Sequence, residues 1–158
     1  MLRTYLVRHG PGPFPTQDAS LASLPEPHNA DGPWQGPVRA GWPDWVLLKY
    51  ALAACHGADG LAVTHLDVLD ARARWQAAVG YNPPLAVEPS FGKDLARQEA
   101  LTKSLFRCEP VYSELKLGRE PREDFLAALE QACGIPVRFA SRGPTADDVR
   151  ERAAAARP

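Results

Sequence analysis

Proline is the feature of this 158-residue chain that most limits its fold. Eight of the 16 prolines lie between Pro11 and Pro43, interleaved with glycines. Each proline fixes its own φ and lacks the N–H that a helix or a sheet ladder would use. The segment therefore predicts one long loop, ordered or mobile, over residues 11–43. Loops of that length in a compact domain usually carry function.

Length and composition predict a folded, single domain over residues 1–158. Apolar residues make up 45% and charged residues 23% of the chain, close to the globular average. The 18 Lys and Arg residues against 19 Asp and Glu residues give a formal net charge of −1. That balance supplies no basic field for nucleic acid.

The cysteines and the N-terminus predict a compartment. Cys55, Cys108 and Cys133 are widely spaced and form no C-x-x-C pair, which is typical of free thiols in a reducing environment. No apolar run approaches the roughly 20 residues that a membrane span needs, and Met1 leads directly into strand formers rather than a signal sequence. We expect a cytoplasmic protein that binds neither membranes nor nucleic acids.

Outside the long loop, strand and helix patterns alternate. The helix at 121–133 is the clearest, because Pro121 suits a first turn, apolar residues share one face and Gly134 can end it. Strands are predicted at residues 2–8, 61–64, 77–81 and 135–140, and helices at 44–56, 94–106, 121–133 and 147–156. This alternation predicts an α/β fold, with a mixed or mostly parallel sheet and flanking helices.

A tetrapeptide directly after the second predicted strand is a candidate purine-base site. Guanine-binding proteins place a [NT]-K-x-D sequence in that position, and the chain has Thr64-His65-Leu66-Asp67. The Asp accepts hydrogen bonds from guanine N1–H and the 2-amino group, which adenine cannot offer, while His65 replaces a Lys that packs along the base. An Asp that caps a turn explains Asp67 equally well. The turn at residues 141–144 is open to the same two interpretations.

Two segments of the sequence bear on phosphate binding. Arg8-His9-Gly10 resembles the start of histidine phosphatases, in which the His accepts a phosphoryl group, but Pro11 then departs from that family's pattern. A structural strand end is the alternative interpretation of His9. No G-x-x-x-x-G-K-[ST] sequence occurs, and the prolines beside Gly10 and Gly12 donate no N–H to an anion. The chain therefore has no recognisable triphosphate-binding loop.

Five segments, in the right order, are similar to the adenylosuccinate synthetase family and run from Arg3 to Pro144. They are residues 3–16 (R-T-Y-x-x-R-x-G-x-G-P-F-P-T-E in the family), 37–44 (R-P-R-R-x-G-W-x-D), 64–70 (T-K-L-D-V-L-D), 109–112 (E-P-x-Y) and 134–144 (G-x-P followed by S-x-G-P). The resemblance implies the C-terminal part of the adenylosuccinate synthetase fold.

The family's chemistry sets what the resemblance implies for function. Its members join IMP and aspartate while converting GTP to GDP and phosphate, through a 6-phosphorylated purine. The resemblance covers only the C-terminal part, so it implies activity only with an N-terminal-half partner or segment, or within a homodimer. Mg²⁺ would accompany GTP or ATP in the complete enzyme, whereas no catalytic residue and no metal ligand is expected in this chain. A non-catalytic purine-nucleotide-binding module is the alternative.

The resemblance assigns binding residues to three segments. Residues 61–70 and 135–145 would hold the nucleotide base, and the loop at 11–43 would hold an aspartate-like substrate. The nucleotide-binding residues would be Thr64, His65, Asp67, Ser141, Gly143 and Pro144, and the substrate-binding residues Gln35, Gly36 and Arg39. Gly36 and Val38 stand where the family has arginines, so Arg39 remains to pair a carboxylate. These departures bring the chain closer to the short archaeal and phage-type branch.

Overall fold

The computed structural model describes residues 1–26, 34, 36–89 and 94–153. The chain divides into two compact units, which are described separately. The first unit contains Met1–Thr4, Cys55–Trp75 and Glu114–Pro158, and the second contains Tyr5–Ala54 and Gln76–Ser113.

Strands and helices alternate along the described residues, as the sequence predicts. The strands are β1 (Leu2–Arg3), β2 (Leu6–Arg8), β3 (Arg39–Gly41), β4 (Leu61–Thr64), β5 (Trp75–Asn82), β6 (Glu109–Leu115), β7 (Val137–Ser141) and β8 (Val149–Glu151). The α-helices are α1 (Trp45–Ala54), α2 (Leu95–Leu105) and α3 (Pro121–Cys133). Short 3₁₀ helices occupy Ala19–Leu21, Leu66–Ala71 and Ala146–Asp148. None of the described helices is long and apolar enough to cross a membrane.

A four-stranded mixed sheet organises the first unit, in the order β1-β4-β7-β8. The strand β4 runs parallel to both β1 and β7, and β8 runs antiparallel to β7. This confirms the predicted α/β fold with a mixed sheet. The core combines apolar residues of the sheet with those of α3, and Trp75 packs edge-on against Phe125 with ring centroids 6.4 Å apart.

The helix α3 has the bounds that the sequence predicts. Pro121 occupies its first turn, and Gly134 ends it in the left-handed conformation at φ 70°, which glycine adopts without steric cost. Phe125, Leu126 and Leu129 are fully buried on one face. The Glu130 side chain accepts a hydrogen bond from the Val137 N–H at 2.7 Å, which joins the end of α3 to the start of β7.

In its described residues, the second unit contains two strand pairs, the α-helices α1 and α2 and the 3₁₀ helix Ala19–Leu21. The strand β2 pairs antiparallel with β3, from Leu6 opposite Gly41 to Arg8 opposite Arg39. The strand β5 pairs with β6, and residues 76–82 and 109–113 of these strands belong to this unit. Ala78 donates its N–H to the Pro43 carbonyl at 2.8 Å, so the start of α1 lies beside β5.

The prediction of one buried strand over residues 2–8 is wrong. The chain bends at Thr4 and Tyr5, and the segment forms β1 in one sheet and β2 in another. Both residues at the bend are fully buried. Thr4 donates its N–H to the Thr64 carbonyl, whereas the Tyr5 hydroxyl donates to the Glu26 carboxylate. Two consecutive residues with partners in different units interrupt a strand that the side-chain pattern alone favours.

The predicted loop at 11–43 contains short regular elements in its described part. The 3₁₀ helix Ala19–Leu21 is capped by the Asp18 side chain, and residues 39–41 form β3. These elements lie where no proline interrupts the backbone hydrogen bonds. Residues 27–33 and residue 35 lie outside the described residues.

The predicted terminal helix at 147–156 is wrong over its described part. Residues 146–148 form a 3₁₀ turn, and residues 149–151 form β8 on the edge of the sheet. Hydrogen bonding to β7 replaces the helix because a short isolated helix is marginal in water. Residues 154–156 of the prediction lie outside the described residues. The strand β6 was not among the predicted strands.

A buried carboxylate begins α1. Asp44 is only 4% exposed, and its Oδ1 accepts hydrogen bonds from the N–H groups of Val46 and Leu47 at 3.0 and 2.9 Å. The Tyr81 hydroxyl donates to Oδ2 at 2.6 Å. Burial raises the pKa of Asp44 above its ordinary value of 3.8, and the three hydrogen bonds counter part of that increase.

The raised pKa of Asp44 predicts a pH-dependent effect of Asp44→Asn. A folded pKa above the unfolded one means that the contribution of Asp44 to wild-type stability declines as pH rises from about 3.8 through the folded value. Asn retains the capping oxygen without the buried charge. We expect the difference in unfolding free energy between Asp44→Asn and wild type to shift in favour of the variant from pH 4 to pH 7. The expected shift is about 1.4 kcal/mol for each unit by which the pKa of Asp44 is raised. Urea unfolding at both pH values measures this difference.

The matched control for Asp44→Asn is Asp59→Asn, because Asp59 is exposed. Its difference from wild type should stay the same at the two pH values. A constant difference between Asp44→Asn and wild type would contradict the assigned cause.

Candidate functional site

The two predicted base-binding elements leave the sheet at the same edge. The strands β4 and β7 are parallel neighbours, with Val63 opposite Ala140. Thr64 is the last residue of β4, and Ser141 is the last residue of β7. In open α/β sheets, ligands bind in the crevice outside the carboxyl ends of the strands. The structure thus brings the segments 64–67 and 141–144 to one edge of the first unit.

His65 adopts a backbone conformation that is rare outside glycine. Its φ is 62°, in the left-handed region, which costs about 1–3 kcal/mol and persists where the surroundings determine it. The Thr4 hydroxyl donates to the His65 carbonyl at 2.7 Å, and the Thr64 hydroxyl contacts the His65 Nδ1 at 2.9 Å. Strained residues of this kind cluster at binding sites.

The 3₁₀ helix Leu66–Ala71 determines which way Asp67 faces. Leu66, Val68 and Leu69 are buried, whereas Asp67 and Asp70 are exposed. Residues three apart lie on the same side of a 3₁₀ helix, so the two aspartates share one face. Within the described part of the chain, the Asp67 carboxylate has no hydrogen-bond or ion-pair partner. It is therefore available to accept hydrogen bonds from a ligand.

The turn at residues 141–144 is held by internal hydrogen bonds. The Ser141 hydroxyl donates to the Gly143 carbonyl at 2.9 Å, so this predicted ligand contact is engaged within the turn. A Cβ at Gly143 would lie 2.7 Å from the Asp148 carboxyl carbon, which explains the glycine. Among the described residues, the Gly143 N–H has no hydrogen-bond partner. The turn therefore offers a backbone donor rather than the Ser141 hydroxyl, and Pro144 is exposed beside it.

Asp148 supports this turn and was missed by the sequence analysis. Its carboxylate accepts hydrogen bonds from the Thr145 hydroxyl at 2.7 Å and the Thr145 N–H at 2.9 Å. These two hydrogen bonds hold the pKa of Asp148 below its ordinary value. The Arg142 N–H donates to the Asp148 carbonyl at 3.1 Å. The T-x-x-D spacing of a capping box is the signal that could have identified it.

Arg39, the predicted substrate ligand in the second unit, is occupied by the protein. Its Nη2 donates to the carbonyls of Gly10 and Gly12, the latter at 2.8 Å, and its Nη1 donates to Gln17 Oε1 at 3.1 Å. The guanidinium also lies 5.6 Å from the ring centroid of Phe14. Bidentate binding of a carboxylate uses Nη2 together with Nη1 or Nε. Since both Nη2 hydrogens are engaged, no bidentate fork remains free.

Of the other two predicted substrate residues, only Gly36 is among the described residues. Gln35 lies outside the described residues. Gly36 has φ 67° and lines a cavity of about 480 Å³ together with Trp34 and Arg39. The Trp34 side chain is 97% exposed. The substrate residues belong to the second unit and the base residues to the first.

Two further observations concern metal binding and the interpretation of His9 as a phosphate-accepting residue. In the described ranges, no three His, Cys, Asp or Glu side chains are grouped closely enough to hold a metal ion. His9 Nδ1 is buried and has no hydrogen-bond partner among the described residues. A nucleophilic imidazole is oriented by a hydrogen bond at its second ring nitrogen, and His9 Nδ1 lacks such a partner among the described residues, so this geometry favours the structural interpretation of His9.

Comparisons with known proteins agree with the five sequence segments. The family model for adenylosuccinate synthetase matches residues 1–150. The adenylosuccinate synthetase of Carboxydothermus hydrogenoformans is 35% identical in an alignment of 163 positions that covers 93% of this chain and 36% of the relative. That of Aquifex aeolicus is 33% identical, over 92% of this chain and 36% of the relative. The chain thus spans about a third of the length of these curated relatives.

A solved structure supports the fold. The structure of fully ligated adenylosuccinate synthetase from Plasmodium falciparum matches with a TM-score of 0.73. The match covers 96% of this chain and 39% of that chain, at 20% sequence identity. Similarity at this level of identity establishes the shared architecture.

The role of Arg39 in bracing residues 10–12 predicts the effect of Arg39→Lys. A lysine ammonium cannot reproduce the planar set of bonds to two carbonyls and Gln17. We expect Arg39→Lys to lower the free energy of unfolding by about 1–2 kcal/mol, measured by urea denaturation. The control is Arg97→Lys, because Arg97 has only an exposed contact with Glu88 at 3.8 Å. Equal stabilities of the two variants would contradict the bracing role.

Proposed function

The chain belongs to the adenylosuccinate synthetase family, and we propose that it is the C-terminal part of an adenylosuccinate-synthetase-like ligase. The complete enzyme would join aspartate to a purine nucleotide and consume GTP or ATP. The observation that carries this proposal is the exposed Asp67 carboxylate, which has no partner among the described residues and lies at the same sheet edge as the turn after β7. This arrangement suits recognition of a purine base.

The first unit would bind the base of the nucleotide that is consumed. The Asp67 carboxylate can accept from guanine N1–H and the 2-amino group, whereas adenine presents an unprotonated N1. The Gly143 N–H supplies a donor on the neighbouring element, and the His65 ring can pack along the base. A carboxylate acceptor combined with a backbone donor favours guanine over adenine, because polar groups that a bound base covers are costly when the base offers them no partner.

Catalysis would require parts of the synthetase outside this chain. Phosphoryl transfer depends on positioned phosphates, cations and Mg²⁺. The sequence holds no triphosphate-binding loop, and the described residues contain no group that fits a resident metal ion. The proposal therefore assigns Mg²⁺ to the nucleotide of the complete enzyme. The remaining groups would come from an N-terminal-half partner or segment, with homodimer formation as a further part of the proposal.

A second candidate function is a non-catalytic purine-nucleotide-binding module. The residues of the loop at 11–43 favour this function. Gly36 and Val38 stand where the family has arginines, and the Arg39 side chain is hydrogen-bonded to backbone carbonyls. Such a module would keep the base site and lose the capacity to bind an aspartate-like substrate.

Asp67→Asn tests the base site. Replacing one carboxylate oxygen by NH₂ sets a donor against a donor of guanine, and hydrogen bonds to charged groups are worth about 1.5–3 kcal/mol. We expect GTP affinity to fall at least about tenfold and the preference for GTP over ATP to be lost, as measured by calorimetry on the purified chain. Asp59→Asn should bind as wild type does. An unchanged GTP preference in Asp67→Asn would rule out the assigned site.

Turnover distinguishes the two candidate functions. The purified chain with IMP, aspartate, GTP and Mg²⁺ should form no adenylosuccinate, since the phosphoryl-transfer groups are missing. Addition of the N-terminal part of a related synthetase should restore product formation, followed by its absorbance. Turnover by the chain alone would overturn the need for a partner, and failed complementation would favour the binding module.

A further inference from the structure

The first turn of α3 contacts both base-binding elements through consecutive charged residues. Arg122 forms an ion pair with Asp70, on the 3₁₀ helix that carries Asp67. Glu123 Oε1 accepts a hydrogen bond from Arg142 Nη2 at 2.8 Å, in the turn after β7. Adjacent helical residues project about 100° apart, so one turn can reach two separate elements.

We propose that Arg122 and Glu123 are positioning residues that set the spacing between Asp67 and the turn at 141–144. The inference rests on the proposed base site, and it assigns the two residues a part in nucleotide affinity without contact to the nucleotide. Neither residue belongs to the motifs that identify the family in this chain.

The Glu123 carboxylate links three segments of the first unit. Its Oε2 accepts from Arg152 Nη1, in addition to the Arg142 bond at Oε1. The Arg152 N–H in turn donates to the Arg138 carbonyl of β7 at 2.8 Å. Glu123 therefore holds the chain at Arg142, within the turn at 141–144, and at Arg152, directly after β8.

The helix α3 is firmly packed, so residues on it can set the distance between Asp67 and the turn at 141–144. Its face with Phe125, Leu126 and Leu129 is fully buried, and both of its ends are determined by local residues. The internal hydrogen bonds of the turn fix its shape, whereas the bond from Arg142 to Glu123 connects it to the helix. The distance from the turn to Asp67 thus depends on the two ion pairs of α3.

The groove between these elements does not suit a separate anion. It encloses about 580 Å³ beside Asp70, Arg119, Arg122, Glu123 and Arg142. Asp70 pairs with Arg122, and Glu123 pairs with Arg142. An anion at Arg122 or Arg142 would have to displace these carboxylates, so we assign these two arginines to positioning rather than to ligand binding.

Position and stability can be measured separately here. The side chains of Glu123 and Arg142 are 37% and 43% exposed, and exposed ion pairs stabilise a fold by only about 0.2–1 kcal/mol. Glu123→Gln should therefore change the melting temperature little. The matched control is Glu114→Gln, which removes an exposed bidentate pair with Arg74 in the same unit.

The experiment measures GTP affinity and melting temperature on the full chain. We expect Glu123→Gln and Arg122→Gln each to weaken GTP binding about three- to tenfold, with melting temperatures close to that of Glu114→Gln. Glu114→Gln should bind GTP as wild type does. Wild-type affinity in both α3 variants, or an affinity loss of the same size in Glu114→Gln, would overturn the proposal.

Amide hydrogen exchange tests the positioning without any nucleotide. Glu123→Gln should accelerate exchange at the Arg142 and Thr145 amides, which are bonded to Asp148, and leave the amides of Leu126 and Leu129 unchanged. Unchanged exchange at the turn would overturn the positioning role. If wild type binds no GTP, the proposed base site fails, and the exchange result alone decides whether α3 holds the turn.

Discussion

The parallel pairing of β4 with β7 is the constraint on which the candidate site depends. Two segments that are more than 70 residues apart in the chain leave neighbouring strands at one sheet edge. Neither Thr64–Asp67 nor Ser141–Pro144 forms a site alone, because one offers a carboxylate and the other a backbone donor. The parallel pairing therefore places the carboxylate of one segment and the backbone donor of the other at the same end of the sheet.

The elements that the sequence predicts well are those with local signals. Pro121 and Gly134 bound α3, and a run of apolar residues marks β4, because both signals act within a few residues. The misassigned segments depend on distant partners. The bend at Thr4 follows from its bond to residue 64, and β8 exists because β7 offers an edge. A pattern within a single segment holds no information about such pairings.

The same distinction applies within the site. The motifs identify which residue types lie at this edge of the sheet, including His65 and Asp67, because the motif directly follows the end of a predicted strand. They do not show that Arg39 Nη2 donates both of its hydrogens to carbonyls 27 and 29 residues away in the chain. Nor do they show that Glu123 bonds to Arg142, which is 19 residues away. Side-chain availability is a property of the folded chain, so residue type alone overestimates the ligand-binding capacity of Arg39.

The left-handed backbone of His65 bears on the proposed base site because it depends on the main chain and not on the ring. Its φ is 62°, and the Thr4 hydroxyl holds the His65 carbonyl, so any side chain with a Cβ at this position bears the strain. A lysine, as in the related motif, would bear a similar strain and would lose the ring contact with Thr64. In the proposed site, an exchange between His and Lys would therefore change the group that lies along a bound base, while the position would keep the same strained backbone.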